Sequence, residues 1–176
     1  MDDVNYVLAL KEAEEKQSLP QEIKIKYNIG VGNNPIFKEV FSRPSTAAKA
    51  SIAAIESIAT KNTKRILNIS GGTHHGRKSQ AYGFCFLNDC VLSILKAIEL
   101  GFKKILYVDI DAHHCDGVQD VFSDNHKFDI ISIHEKKRWP FTGLIEDCKI
   151  KNLLNFPVSA DFTDVDMDFL INDFIV

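Results

Sequence analysis

The 176-residue chain is predicted to be an α/β protein built on a parallel sheet, and three features carry that prediction. Short apolar runs of strand character (Arg65 to Ile69, Ile105 to Val108, Phe128 to Ile133) alternate with longer segments of helical period. Alternation at this spacing calls for right-handed crossovers between parallel strands. Each run is also followed or ended by a polar cluster containing histidine, as expected where ligands gather beyond the carboxyl ends of parallel strands. Three clusters at one sheet edge are expected to converge on a single site.

Val4 to Lys16 carries Val7, Leu8 and Leu10 among Glu and Lys and reads as a helix ending before Pro20. Gln21 to Pro35 reads as loop, with Gly30, Gly32 and Asn33-Asn34 as turn material. Ser45 to Ile58 is a helix that Ser45 can cap, with Ala48, Ile52, Ile55 and Ala59 recurring at helical spacing. The strand Arg65 to Ile69 opens into Ser70-Gly71-Gly72-Thr73-His74-His75-Gly76. Asn88 to Leu100 is the next helix, with Val91, Leu92, Leu95 and Ile98 on one side and Gly101 as its stop. The strand Ile105 to Val108 follows. Gly117 to Phe122 starts a helix, Phe128 to Ile133 is a strand, Asn155 to Val158 ends a last strand, and Asp164 to Phe174 is a last helix.

This length suits one domain with a real core. With 45% hydrophobic and 26% charged residues and a net charge of −3, the composition is that of a soluble globular protein and lacks the basic excess of a nucleic-acid binder. The four cysteines, Cys85, Cys90, Cys115 and Cys148, include no Cys-x-x-Cys pair and read as reduced thiols of a cytoplasmic protein. No signal peptide or membrane-length apolar run is evident.

The chemistry concentrates in Val108-Asp109-Ile110-Asp111-Ala112-His113-His114-Cys115-Asp116-Gly117. Along an extended chain Asp109, Asp111 and His113 share a face, and two oxygen donors with one nitrogen donor can grip a divalent metal. Turn chemistry accounts for Asp and Gly here, but not for tandem histidines. His74, His75, Asp109 and Asp116 are available for His–Asp pairs that handle the proton of an attacking water. Metal-assisted hydrolysis of an amide, or of another polar bond, is the reaction class.

Three segments together, Gly71-Gly72-Thr73-His74-His75, Tyr82-Gly83-Phe84-Cys85-Phe86-Leu87-Asn88-Asp89 and Asp109 to Gly117, resemble the zinc-dependent histone deacetylase family, which includes acetoin-utilisation proteins and acetylpolyamine amidohydrolases. Gly32 to Phe37 upstream and His134-Glu135 with Arg138-Trp139-Pro140-Phe141-Thr142-Gly143 downstream extend the match, the last in wording closer to bacterial members. The resemblance implies a three-layer arginase/deacetylase-type α/β fold spanning residues 1–176. It implies removal of acetyl groups from acetyl-lysine side chains or acetylated polyamines.

Asp111 and His113 would be zinc ligands, with Fe(II) as an alternative metal. His74 and His75 would pair with Asp109 and Asp116 respectively, one histidine serving as general base. Gly83 and Phe84 would line a narrow channel for the acylated arm, although Phe84 outside this motif would read as core. Asp109, Asp111, His113, Ser132 and Ile133 match positions that hold a structural K+ or Na+, mostly through backbone carbonyls, and Phe122 falls at a second such site. His126 and His134 read as surface or structural histidines.

Two substitutions depart from the family pattern: Cys115 stands for a glycine, bringing a potentially oxidisable thiol near the metal, and Gly76 stands for an alanine. The family's third ligand, an aspartate, and its transition-state tyrosine have no match in this chain. Asp161, Asp164, Asp166 and Asp168 read as helix caps instead. Loss of one oxyanion donor typically costs roughly 100- to 1000-fold in rate. A partial fold with later strands missing, inactive in isolation, is therefore expected. The alternative is a non-catalytic remnant that only binds acyl-lysine.

Overall fold

The computed structural model describes residues 3–61, 63–122, 128–147 and 152–175. Two compact units emerge, residues 1–105 with 116–127 and residues 106–115 with 128–176, and each is described by itself. His126 and Cys148 lie outside the described residues.

The first unit is helical: α1 (Val4–Lys16), α2 (Gln21–Tyr27), α3 (Ser42–Ala59), α4 (Asp89–Glu99) and α5 (Asp116–Phe122). Tyr6, Leu10 and Ala13 recur on one face of α1 and pack with Tyr27, Ile29, Val40 and Phe86. The Tyr6 hydroxyl donates to the Phe86 carbonyl at 2.5 Å, which satisfies its one polar atom inside this core.

Three elements differ from expectation. Gln21 to Tyr27 is a helix rather than loop, because Ile23 and Tyr27, four residues apart, both turn into the core. Helix α3 begins at Ser42, ahead of Ser45, since its cap is remote: the Glu14 carboxylate accepts the Phe41 and Ser42 backbone N–H groups at 2.9 and 2.8 Å. Residues 65–69 form no strand. Leu67 and Ile69 are 84% and 89% exposed, and the Asn68 side chain between them instead donates to the Ala47 carbonyl and the Ser51 hydroxyl of α3.

The second unit holds β1 (Leu106–Asp109), β2 (Asp129–Glu135), β3 (Leu153–Val158) and α6 (Asp164–Leu170). The strands form an all-parallel sheet in the order β1-β2-β3. Ile130 to His134 of the central strand are buried on both faces, as in parallel sheets covered on both sides. The register aligns Asp109 with Ser132 and Ser132 with Asn155, a polar row across three strands. At α6 the Asp166 carboxylate accepts both the backbone N–H and the hydroxyl of Thr163, closing a capping box.

Asn34 joins two loops of the first unit: its Oδ1 accepts the Phe84 N–H at 3.0 Å and its Nδ2 donates to the Ala81 carbonyl at 3.3 Å, with no exposed surface. Asn34→Ala strands the Phe84 N–H, while the Ala81 carbonyl keeps the Asn28 Nδ2 donor at 2.8 Å, and a loss of about 1–3 kcal/mol is expected. Urea unfolding should show it as a lower midpoint at unchanged slope.

Candidate functional site

The tandem histidines sit on a loop held by the first two residues of the α4 segment. Asn88 caps the helix, its Oδ1 accepting the Val91 N–H at 3.0 Å, while its Nδ2 donates to the His74 and Gly76 carbonyls, both at 2.9 Å. The buried Asp89 carboxylate accepts the Gly72 N–H, the Thr73 N–H and the Thr73 hydroxyl on one oxygen and the Ser51 hydroxyl on the other, at 2.7–3.0 Å. Helix α5 enters against the same loop. A Cβ on Gly117 would lie 2.5 Å from the His74 carbonyl oxygen and 2.7 Å from that of Gly76, so only glycine permits this approach.

That approach places Asp116 beside His75. His75 Nδ1 lies 2.6 Å from Asp116 Oδ1, both side chains are buried, and the Nε2 atoms of His74 and His75 are 3.1 Å apart. Asp116 as a carboxylate only accepts, so neutral His75 carries its proton on Nδ1. Its Nε2 is then the unprotonated nitrogen, 3.1 Å from His74 Nε2. The second oxygen of Asp116 receives Arg77 Nη2 at 2.5 Å, and Arg77 Nη1 reaches Asp120. Burial pushes the Asp120 carboxyl above its ordinary range while Arg77 pulls the other way. Burial likewise pushes the Cys85 thiol up, away from thiolate reactivity.

Gly83 and Phe84 occupy the two central positions of a tight turn between Tyr82 and Cys85, which exchange backbone hydrogen bonds at 3.0 and 2.9 Å. Both have positive φ, +56° and +64°, the pattern of a type I′ turn. Phe84 is 67% exposed, which removes the core reading: an aromatic is presented to solvent from a conformation that side chains disfavour. Phe122 closes α5 with its side chain buried, so only its backbone is available to a cation.

The expected metal ligands lie in the second unit and depart from a simple strand face. Regular extension ends at Asp109, and two carboxylates fold the chain after it. Asp109 Oδ1 accepts the Asp111 N–H at 3.0 Å, and Asp111 Oδ1 accepts the His113 N–H at 2.7 Å. Asp109 is buried, its other oxygen taking the Tyr107 hydroxyl at 2.5 Å. Asp111 Oδ1 and His113 Nδ1 meet 2.8 Å apart on exposed side chains. One carboxylate oxygen and one imidazole nitrogen so juxtaposed form a donor pair suited to Zn(II) or Fe(II). Among the described residues, no group of three or more His, Cys, Asp or Glu side chains is arranged to hold a metal ion.

Behind these ligands the sequence reading missed a second histidine pair. His114 and His134 rings lie 4.8 Å apart. His134 Nε2 donates to the Gly143 carbonyl at 3.0 Å, so its Nδ1 accepts the Ser132 hydroxyl, also at 3.0 Å. His114 Nδ1 lies 2.8 Å from Thr142 Oγ1. Phe141, beside Thr142, repeats the signature of Phe84, with φ +65° and 71% exposure. Its place in the Arg138 to Gly143 motif was the available signal. Ile133 is buried within β2, where only its carbonyl can serve a cation. Cys115 has no exposed surface, which corrects the expectation of an oxidisable thiol, since oxidation needs an accessible thiolate.

The histone deacetylase domain profile matches residues 2–176. Histone deacetylase 8 of Xenopus tropicalis is 35% identical over 162 residues, covering 91% of this chain and 43% of its own length. The acetoin utilization protein AcuC of Bacillus subtilis is 34% identical over 139 residues, covering 79% of this chain and 36% of its own. These near-equal identities do not separate bacterial from eukaryotic character. Among solved structures, an HDAC homolog from Aquifex aeolicus superposes with a TM-score of 0.90 at 35% identity, over 97% of this chain and 47% of that one. A structure of an HDAC homolog complexed with SAHA also gives a TM-score of 0.90, at 36% identity. The chain thus spans less than half the length of these relatives.

Two outcomes are expected. Phe84→Gly should change stability by less than about 1 kcal/mol in thermal unfolding, because relief of the left-handed strain offsets the added chain entropy, whereas deleting a core Phe costs about 3–5 kcal/mol. Burial holds the His134 imidazole below its ordinary pKa, so the unfolded chain takes up that proton first. Its stabilising contribution is present above the ordinary histidine value of about 6.5 and fades as pH falls below it. Urea midpoints between pH 8 and 5.5 should therefore fall more steeply for the native sequence than for His134→Gln.

Proposed function

Because this chain belongs to the histone deacetylase family, we propose that it serves metal-dependent removal of acetyl groups from acetylated amines, either a lysine side chain or a polyamine. The observation that carries this reading is the buried His75–Asp116 pair, with a basic Nε2 defined by the hydrogen bond at Nδ1. His75 takes the proton of the attacking water at Nε2, and Asp116 stabilises the imidazolium that results. His74 Nε2 lies 3.1 Å from the same atom, so the two histidines share one proton-handling position. Asp109 is assigned as the partner of His74 on the family resemblance alone.

Asp111 and His113 are proposed to hold Zn(II), or Fe(II), supplying Lewis-acid polarisation of the acyl carbonyl. The backbone carbonyls of Asp109, Asp111, His113 and Ile133, with the Ser132 hydroxyl, are proposed to hold K+ or Na+. The β1–β2 register supports this by setting Asp109 beside Ser132. Gly83 and Phe84 are assigned to the acyl-lysine channel, supported by the exposure of Phe84. No helix among the described residues is long and apolar enough to cross a membrane, and cytoplasmic work is proposed from the reduced-thiol reading of the cysteines. The 176-residue chain alone is proposed to be inactive, because only two candidate ligands converge among its described residues.

The test uses the purified chain with Zn(II) and with paired acetylated and unmodified lysine peptides. Metal binding is expected, weakened at least about tenfold by His113→Asn, together with preference for the acetylated peptide and no release of acetate. Acetate release by the chain alone would overturn the inactivity. Peptide preference without any metal binding would favour a non-catalytic acyl-lysine-binding remnant, and absence of both would overturn the deacetylase reading for this chain.

A further inference from the structure

We propose that Arg77 is a positioning residue that locks the Asp116 carboxylate onto His75. The inference rests on the reading of His75–Asp116 as the proton-handling pair. A carboxylate bound through one oxygen can still swing about its own axis. Asp116 is bound through both: Oδ1 lies 2.6 Å from His75 Nδ1, and Oδ2 receives Arg77 Nη2 at 2.5 Å. Rotation that would present the other oxygen to the imidazole has to break the charge-assisted bond to Arg77.

The guanidinium is itself immobilised on three sides. Its other arm binds Asp120, one turn further along α5 than Asp116. Its face lies over the Tyr82 ring at 4.4 Å from the centroid. Its backbone is tied into a tight turn, with Arg77 and Gln80 exchanging hydrogen bonds at 3.1 and 3.3 Å. A planar fork is required for this: two arms bridge two carboxylates on successive turns, which a lysine point charge reproduces for one carboxylate at a time. The same cation offsets the repulsion of Asp116 and Asp120, and burial already disfavours charge on Asp120. Asp116 is almost fully buried whereas the Arg77 side chain is 31% exposed, so the lock reaches from the protein surface to the histidine.

The test reads the His75 imidazole directly, by ¹⁵N-edited NMR on the full 176-residue chain, without metal, substrate or turnover. In the native sequence a single Nδ1–H tautomer with a sharp downfield proton is expected. Arg77→Gln, which keeps a hydrogen-bonding side chain but removes the fork and charge, should broaden or abolish that proton. It should also move the ring nitrogens toward a mixture of tautomers, while backbone amides away from residues 74–77 and 116–120 stay in place. Arg77→Lys should recover part of the native signature. Unchanged His75 resonances in a folded Arg77→Gln chain would overturn the proposal. Should that variant fail to fold, Asp120→Asn decides, since it removes only the outer anchor: a broadened His75 proton supports the lock, and a native one overturns it. Because metal and peptide binding are measured separately, the deacetylase reading can fail while the lock stands, and the reverse.

Discussion

The geometry of the histidine loop depends on one buried carboxylate. Asp89 accepts four hydrogen bonds, three of them from the Gly72-Thr73 segment that leads into His74. Asn88 holds the far end of the same loop through the His74 and Gly76 carbonyls. Residues 72–76 are therefore stitched at both ends to the start of one helix, and the two imidazoles between those ends have little freedom. With the loop fixed, the missing side chain of Gly117 lets α5 close on it and deliver Asp116. The sequence of causes runs from a helix cap to a loop, from the loop to a close approach, and from there to the His75–Asp116 pair.

The second unit solves a similar problem with different means. No helix cap is at hand after β1, so Asp109 and Asp111 each use one carboxylate oxygen to fold the backbone two residues on. This brings a carboxylate and an imidazole together on exposed side chains. Beneath them the His134–Ser132 and His114–Thr142 bonds tie β2 and the Thr142-Gly143 loop to the ligand loop. In both units a buried histidine meets a neighbour that only accepts, the Asp116 carboxylate for His75 and the Gly143 carbonyl for His134, which is how a tautomer is imposed.

Much of this was legible because it is local. The helix from Val4 to Lys16 was read correctly ahead of Pro20, although its buried face runs through Tyr6, Ala9, Leu10 and Ala13 and leaves Leu8 exposed. The parallel arrangement of the strands near residues 106, 129 and 153 followed from their alternation with helices. What escaped was non-local or conformational. Glu14 caps a helix 28 residues away, and no window of sequence contains that pairing. Gln21 to Tyr27 is short, and its two core contacts are hidden among glycine and asparagine signals nearby. Ile66 to Ile69 has strand composition, yet a strand needs a partner, and its Asn68 binds α3 instead. The shared face assumed for Asp109, Asp111 and His113 failed because aspartates bend the backbone that was taken as extended.

The Asp89 clamp is tested most directly by amide hydrogen exchange at Gly72 and Thr73, whose N–H groups the carboxylate accepts, comparing the native chain with Asp89→Ala. Faster exchange is expected at these amides, with protection retained through α1. Native protection of the loop in a folded variant would contradict the clamp, because the histidines would then be held by something other than this carboxylate.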